Sequence, residues 1–264
     1  MMRGMKKALR KIFKTKGMTL LLPIVAISCA APAAYNVGTG QVAIRPASAD
    51  LQQQGATAFE HYKKKTPISQ NAAARARVFR VATKLRPVVN LPGAQWEFEV
   101  FEDPSANAFA LPGGKVGVNT GLLNIATTDG QLAAVVAHEM AHVTSNHAQS
   151  RVQRSQTIAL GGAILGAVFS GAENGEELGQ MAQKGSEIVF GLTFSRAQEL
   201  EADRIGTVFM ARAGYDPGDA ITLWQRMGAS QQSSTPEFLS THPVSATRIQ
   251  KLREFLPTAR AQAR

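Results

Sequence analysis

The chain has 264 residues, 44% hydrophobic and 18% charged, an ordinary balance for a folded protein with one sizeable core and at most a small accessory subdomain. Its net charge of +10 points to nucleic acid only until it is located. Arg3, Lys6, Lys7, Arg10, Lys11, Lys14 and Lys16 all lie within residues 1–28, which hold no acid, leaving +3 for everything else. No basic stripe with interleaved aromatics follows, so nucleic acid is not an expected partner.

Those charges precede an apolar run from Met18 to Ala34, the layout of a secretory signal. As a membrane span the run is marginal, because about 20 apolar residues are needed and Pro23 and Pro32 interrupt it. A mitochondrial presequence would also be basic and acid-free, but it spreads its apolar residues along one face rather than concentrating them. The single cysteine, Cys29, follows Ala26-Ile27-Ser28 and resembles a bacterial lipobox with Ala26 where Leu is usual. Ala31-Pro32-Ala33 and Ala47-Ser48-Ala49 are rival cleavage sites of the A-x-A kind. Residues 1–34 are therefore read as a signal or lipoprotein-type segment, 35–50 as a small, polar tether, 51–257 as the folded domain and 258–264 as a frayed basic tail. A location in the bacterial cell envelope follows, in the periplasm and, if Cys29 is lipidated, anchored to the outer membrane.

Within the domain, Leu51 to Lys65 reads as a helix, and Ser69 can cap a second one that runs to about Leu85 and stops before Pro87. Trp96-Glu97-Phe98-Glu99-Val100 alternates as a half-buried strand does. Ala108–Leu111 and Lys115–Val118 flank Pro112-Gly113-Gly114 as strands around a turn, so a small antiparallel sheet is expected ahead of the next helix. That helix spans Gln131 to His147, capped by Asp129, with Leu132, Val135 and Val136 as its buried stripe. Ile158 to Phe169 is an apolar run with three glycines, too short to span a membrane and expected as a buried helix or hairpin. Gly175 to Ala213 reads as interrupted helix, Asp216-Pro217 starts another to about Met227, and Pro243 to Phe255 is a final amphipathic helix. The fold class is α+β, mainly helical.

The chemistry is concentrated in His138-Glu139-Met140-Ala141-His142, an H-E-x-x-H segment inside a helix. Residues four apart share a helix face, so His138 and His142 can hold one metal ion, with Glu139 placed as general base for water at that metal. A third histidine is excluded in the elongated pattern, because Ser145 and Ala148 stand where glycine and histidine are required. His147, five residues past His142, lies about 140° around an ideal helix and is expected to point elsewhere. No acid occurs between Met140 and Ala172, so a third ligand comes from a later helix. Glu199 and Asp203 share one face there: Glu199 can bind zinc while Asp203 fixes a ligand imidazole. Glu201 lies about 200° from Glu199 and is expected to face solvent. A helix that happens to spell the motif, and a surface acidic pair beside Arg204, are the plain alternatives.

Taken together, H-E-x-x-H and Glu199-Leu200-Glu201-Ala202-Asp203 resemble the gluzincin metallopeptidase family that includes the prenyl-protein protease, HtpX and periplasmic proteases of the BepA and LoiP type. Asn107-Ala108-Phe109-Ala110-Leu111-Pro112-Gly113-Gly114, Asn119-Thr120-Gly121-Leu122 and Thr241-His242-Pro243 with Arg248 add to the resemblance, which spans about residues 50 to 257. It implies a zincin-like domain with one zinc ion at His138, His142 and Glu199, and Asp203 behind them. It also implies a substrate edge at Asn107, Ala108 and Phe109. By the same resemblance His242 is an inhibitory fourth ligand or a transition-state donor, against the simpler role of a loop histidine beside the Pro243 helix. Arg248 either stabilises an oxyanion or pairs with an acid. The expected activity is that of an endopeptidase for misfolded or misassembled envelope proteins. The alternatives are a chaperone-like binding protein with a plugged zinc site and a hydrolase of peptidoglycan or another non-protein substrate.

Overall fold

The computed structural model describes residues 35–36, 40–153, 193–230 and 236–263. The signal-like segment with Cys29, the apolar run Ile158 to Phe169 and the first part of the interrupted stretch from Gly175 lie outside the described residues. Strand β1 (Tyr35–Asn36) pairs antiparallel with β2 (Gln41–Val42). The expected tether also makes fixed contacts: the Arg45 backbone N–H donates to the Thr144 carbonyl at 2.7 Å, and its guanidinium pairs with Glu201 at 3.1 Å.

Helix α1 (Ala49–Lys65) starts two residues earlier than expected because the Ser48 hydroxyl accepts from the Leu51 N–H. Helix α2 (Ala72–Leu85) is capped by Asn71, not Ser69, whose hydroxyl instead donates to Glu102 at 2.6 Å. Strands β3 (Glu97–Phe101), β4 (Ala108–Leu111) and β5 (Lys115–Asn119) form one sheet in the order β3-β5-β4. The β4–β5 hairpin is antiparallel as expected, closed by Gly113 and Gly114 at φ of 89° and 92°, a backbone region glycine enters without strain. The third pairing departs from the expected antiparallel sheet, since β3 and β5 run parallel, Glu97 opposite Lys115 and Phe101 opposite Asn119. The reason lies in the strand order: β5, buried from Val116 to Asn119, sits between β3 and β4, so as the return arm of the β4 hairpin it runs parallel to β3. This leaves the outer edge of β4 without a strand partner among the described residues.

After the short helix α3 (Thr120–Ile125), helix α4 (Asp129–Thr144) runs through the centre of the core, buried from Gly130 to Thr144. Thr128 rather than Asp129 caps it; Asp129, in the first turn, pairs with Arg77 and Arg80. The helix ends three residues short of His147, because Asn146 takes a φ of 52°, which a continuing helix does not allow. Residues 147–153 are then helical again. Helix α5 (Arg196–Arg212), begun by a reciprocal Ser195–Gln198 capping box, packs along α4. Gly206 permits close approach: a Cβ there would lie 3.1 Å from the His138 nitrogen.

Helix α6 (Gly218–Ser230) follows Asp216-Pro217, with Asp216 accepting from the Gly218 N–H. The short α7 (Phe238–Thr241) delivers His242 at its end, and α8 (Ala246–Arg260) is capped by Ser245. Helix α8 outruns its expected end. Ala259 is buried and Arg260 pairs with Asp216 at 3.0 Å, so residues 258–260 belong to the helix and not to a frayed tail. The architecture is α+β, mainly helical, with the sheet beside α4. No helix among the described residues is long and apolar enough to cross a membrane.

Candidate metal centre

Helix α4 presents His138 and His142 on one face, one turn apart, and α5 presents Glu199 opposite them. The two Nε2 atoms lie 3.0 Å apart, and the Glu199 carboxylate is 3.4 Å from each of them. His242 completes the group from the end of α7, its Nδ1 3.0 Å from Glu199 Oε1 and 3.3 Å from His138 Nε2. Single ligand atoms of these four residues all fall within 4.8 Å of one another, and all four side chains are buried. A tetrahedral zinc with bonds of about 2.0–2.1 Å separates its ligand atoms by about 3.3 Å, which the 3.0–3.4 Å contacts match. Three imidazole nitrogens and a carboxylate oxygen are also the donor types zinc takes. The residues therefore fit the metal.

The electrostatics agree. Burial alone would raise the Glu199 carboxyl, but the imidazoles of His242, His138 and His142 drive it far below the usual carboxylate range. Burial pushes His142 well below its ordinary value, leaving a neutral imidazole with a free lone pair, the form that binds metal. At His138 burial opposes the proton, yet the hydrogen bonds and charges of Asp203 and Glu199 outweigh it and hold its pKa at about 9.

Asp203 and Arg248 brace the ligands from behind. Asp203 Oδ1 lies 3.2 Å from His138 Nδ1, an electrostatic contact behind the ring that leaves Nε2 facing the cluster. Arg248, 4% exposed, grips Asp203 with Nε and Nη2 at 2.8 Å each, donates Nη1 to the Pro243 carbonyl at 2.8 Å and meets Glu199 Oε2 at 2.5 Å. Burial works against both charges, but their mutual attraction keeps Asp203 below and Arg248 above their ordinary values. The guanidinium is thus engaged by two acids and a carbonyl.

Glu139, 2% exposed, has its Oε1 3.4 Å from His242 Nε2 and lies beside the Ala110 backbone of β4, whose dipole works to lower its carboxyl. Burial pushes its carboxyl above the ordinary value, toward the range a general base needs near neutral pH. The Phe109 ring packs with Tyr62 and Phe101, at 4.8 and 6.1 Å between centroids, while Ala108 is buried in the main core. Asn107 bonds Glu237 at 3.2 Å. What this strand offers beside Glu139 is therefore backbone. A small cleft opens next to His142, lined among others by Ala110, Pro112, Val143, Arg151 and Phe194. Phe194 stacks on the His142 ring at 3.8 Å, and Phe238 stacks on His242 at 4.3 Å.

Two residues expected to face away do not. His147, 2% exposed, sets its Nδ1 2.8 Å from His142 Nδ1, and its Nε2 faces Glu201 Oε2 at 3.5 Å. Glu201 is only partly exposed. Burial would raise its carboxyl, but His147 and Arg45 lower it. The 140° projection for His147 assumed one unbroken helix, which Asn146 interrupts.

The family model described as peptidase family M48 matches residues 71–256 of this chain. The chain is 40% identical over 187 residues to the mitochondrial metalloendopeptidase OMA1 of Schizosaccharomyces pombe, covering 70% of this chain and 54% of that protein. It is 29% identical over 262 residues to the putative beta-barrel assembly-enhancing protease of Vibrio cholerae, covering 92% of this chain and 52% of that protein. Similarity to the beta-barrel assembly-enhancing protease of Escherichia coli is 32% over 163 residues, covering 58% of this chain and 33% of that protein. The chain thus spans about half the length, or less, of these relatives.

Proposed function

The chain belongs to peptidase family M48, and from that premise we propose that it is a zinc-dependent endopeptidase acting on misfolded or misassembled proteins of the cell envelope. The observation that carries this reading is the convergence of His138, His142 and Glu199 with Glu139 and the edge of β4 alongside. His138, His142 and Glu199 would hold the zinc. When bound, the metal supplies a Lewis acid for the peptide carbonyl and makes the attacking water easier to deprotonate. Glu139 takes the proton from that water and returns it to the leaving amine. An extended substrate pairs with the edge of β4 that has no strand partner among the described residues, which presents its scissile bond beside Glu139. Asp203 and Arg248 keep the imidazole and carboxylate ligands in register. Zinc analysis and casein hydrolysis test the reading together: one zinc per chain, cleavage abolished by a chelator and restored by zinc. A metal-free, chelator-insensitive activity would sink it.

For the envelope setting, support comes from the basic and apolar layout of residues 1–34 and from the two bacterial relatives named for β-barrel assembly. The relatives named mitochondrial carry the rival placement, and fractionation of the source cell separates the two. Lipidation at Cys29 is tested by mass spectrometry of the mature N-terminus; an unmodified start at Ala34 or Asp50 rules it out.

One observation favours a second reading, a chaperone-like protein with a plugged site: His242 stands among the ligand atoms where water would enter. The His242→Ala variant divides the two. Faster casein cleavage makes His242 a removable plug on a protease, whereas a zinc-loaded but inactive variant supports the binding protein.

A further inference from the structure

The two metal-binding histidines of α4 are supported differently. His138 has the Asp203 carboxylate at its back, but among the described residues no carboxylate touches the back of His142, which meets the His147 ring instead. His142 turns Nε2 to the ligand cluster, so a neutral His142 that binds metal carries its hydrogen on Nδ1. That hydrogen points at His147 Nδ1, 2.8 Å away, which must then be an acceptor. His147 in turn carries its own hydrogen on Nε2, which faces Glu201 Oε2 at 3.5 Å, an electrostatic contact rather than a made hydrogen bond. Each proton position follows from the one before, and the chain closes on an ionised acid pinned by Arg45 at 3.1 Å. Every group needed to fix the His142 tautomer is present in the correct order.

We propose that His147 and Glu201 form a second orienting arm of the metal site, in which His147 accepts the Nδ1 hydrogen of His142 and Glu201 fixes the tautomer of His147. Both are positioning residues. Neither reaches the substrate, and their effect is to aim the His142 lone pair and raise its basicity as a ligand. Arg45 makes the arm continuous with the segment ahead of α1, whose Arg45 N–H and Pro46 carbonyl hold the end of α4 through Thr144 and Asn146. The inference rests on the zinc reading of the site.

The test is zinc affinity of the purified chain, measured by competition with a chromogenic chelator, together with the visible spectrum of the cobalt(II)-substituted protein. His147→Leu removes the acceptor and is expected to weaken zinc binding by about 10- to 100-fold and to alter the cobalt bands. His147→Gln keeps an acceptor for His142 and a donor for Glu201, and is expected to stay close to wild type in both readouts. Glu201→Ala, at a partly exposed position, is expected to fall between them. Equal affinity in wild type and His147→Leu overturns the arm, and so does a Gln variant as weak as the Leu variant, which would mark a packing role. If His147→Leu does not fold, wild-type affinity in Glu201→Ala overturns it as well. Failure of the wild-type chain to bind zinc would instead overturn the reading of the site itself.

Discussion

Arg248 is the residue on which the buried charge balance turns. Its side chain is 4% exposed and faces two acids that are buried as deeply, Asp203 through two bonds of 2.8 Å and Glu199 at 2.5 Å. Arg248→Met keeps most of the apolar stem but strips the charge, including the guanidinium that lies 5.5 Å from the Trp224 ring centre. Breaking a buried pair by removing one partner costs about 3–5 kcal/mol, because the other charge is left unpaired away from water. Little of this is lost to solvent screening, since neither partner is open to solvent. Urea unfolding in a chelator reads the cost without the stabilisation that bound zinc would add. Asp203→Asn alone should cost about 1.5–3 kcal/mol, the worth of hydrogen bonds to a charged group. In the Arg248→Met background the same Asn should restore stability, because it removes the stranded charge. A loss below about 1 kcal/mol for Arg248→Met, or simple additivity in the double variant, would refute the reasoning.

Three further outcomes are expected. Gly206→Ala places a Cβ 3.1 Å from the His138 nitrogen and 3.2 Å from the Ala137 carbonyl carbon, both backbone atoms, so α5 must retreat from α4. It should lower stability by about 1–3 kcal/mol and weaken zinc retention, read by urea unfolding with and without zinc. Asp129 is held below its ordinary pKa chiefly by the hydrogen bond from Arg80, with Arg77 adding to it. Its contribution is therefore full above the unfolded value of about 3.9 and lost as pH falls through the lower folded value, so the melting difference from Asp129→Asn should be present at neutral pH and shrink as pH falls below about 3.9. Glu199→Gln removes the one anionic ligand and should reduce zinc affinity by more than the ~10–100-fold typical of an outer partner, measured by chelator competition.

The convergence of the candidate ligands was legible because each rests on a spacing that a continuous helix preserves. His138 and His142 are four apart on α4, and Glu199 and Asp203 are four apart on α5, so a projection from sequence places them correctly. His147 failed the same projection because Asn146, at φ 52°, ends the helix and swings the next turn back toward His142. Asn after a helix is a recognised stop, and that clue was available in Asn146 itself. Glu201 was misplaced for a different reason: the surface it faces is covered by Arg45, from a segment whose small polar composition suggests only a tether. The parallel pairing of β3 and β5 was equally hidden, since local alternation fixes which residues face the core but not which strand becomes central. Helix α8 passed its expected end because Ala259 has a buried place to occupy, which nothing in the local sequence announces.

The central claim is that Glu139 moves the proton in a peptide hydrolysis that His138, His142 and Glu199 make possible through zinc. The direct measurement is casein cleavage by Glu139→Gln, with zinc content determined on the same sample. Glutamine nearly matches the shape of the glutamate but cannot accept the proton, so the variant should retain one zinc per chain and lose cleavage by at least about 100-fold. Cleavage at the wild-type rate with zinc still bound would contradict the account.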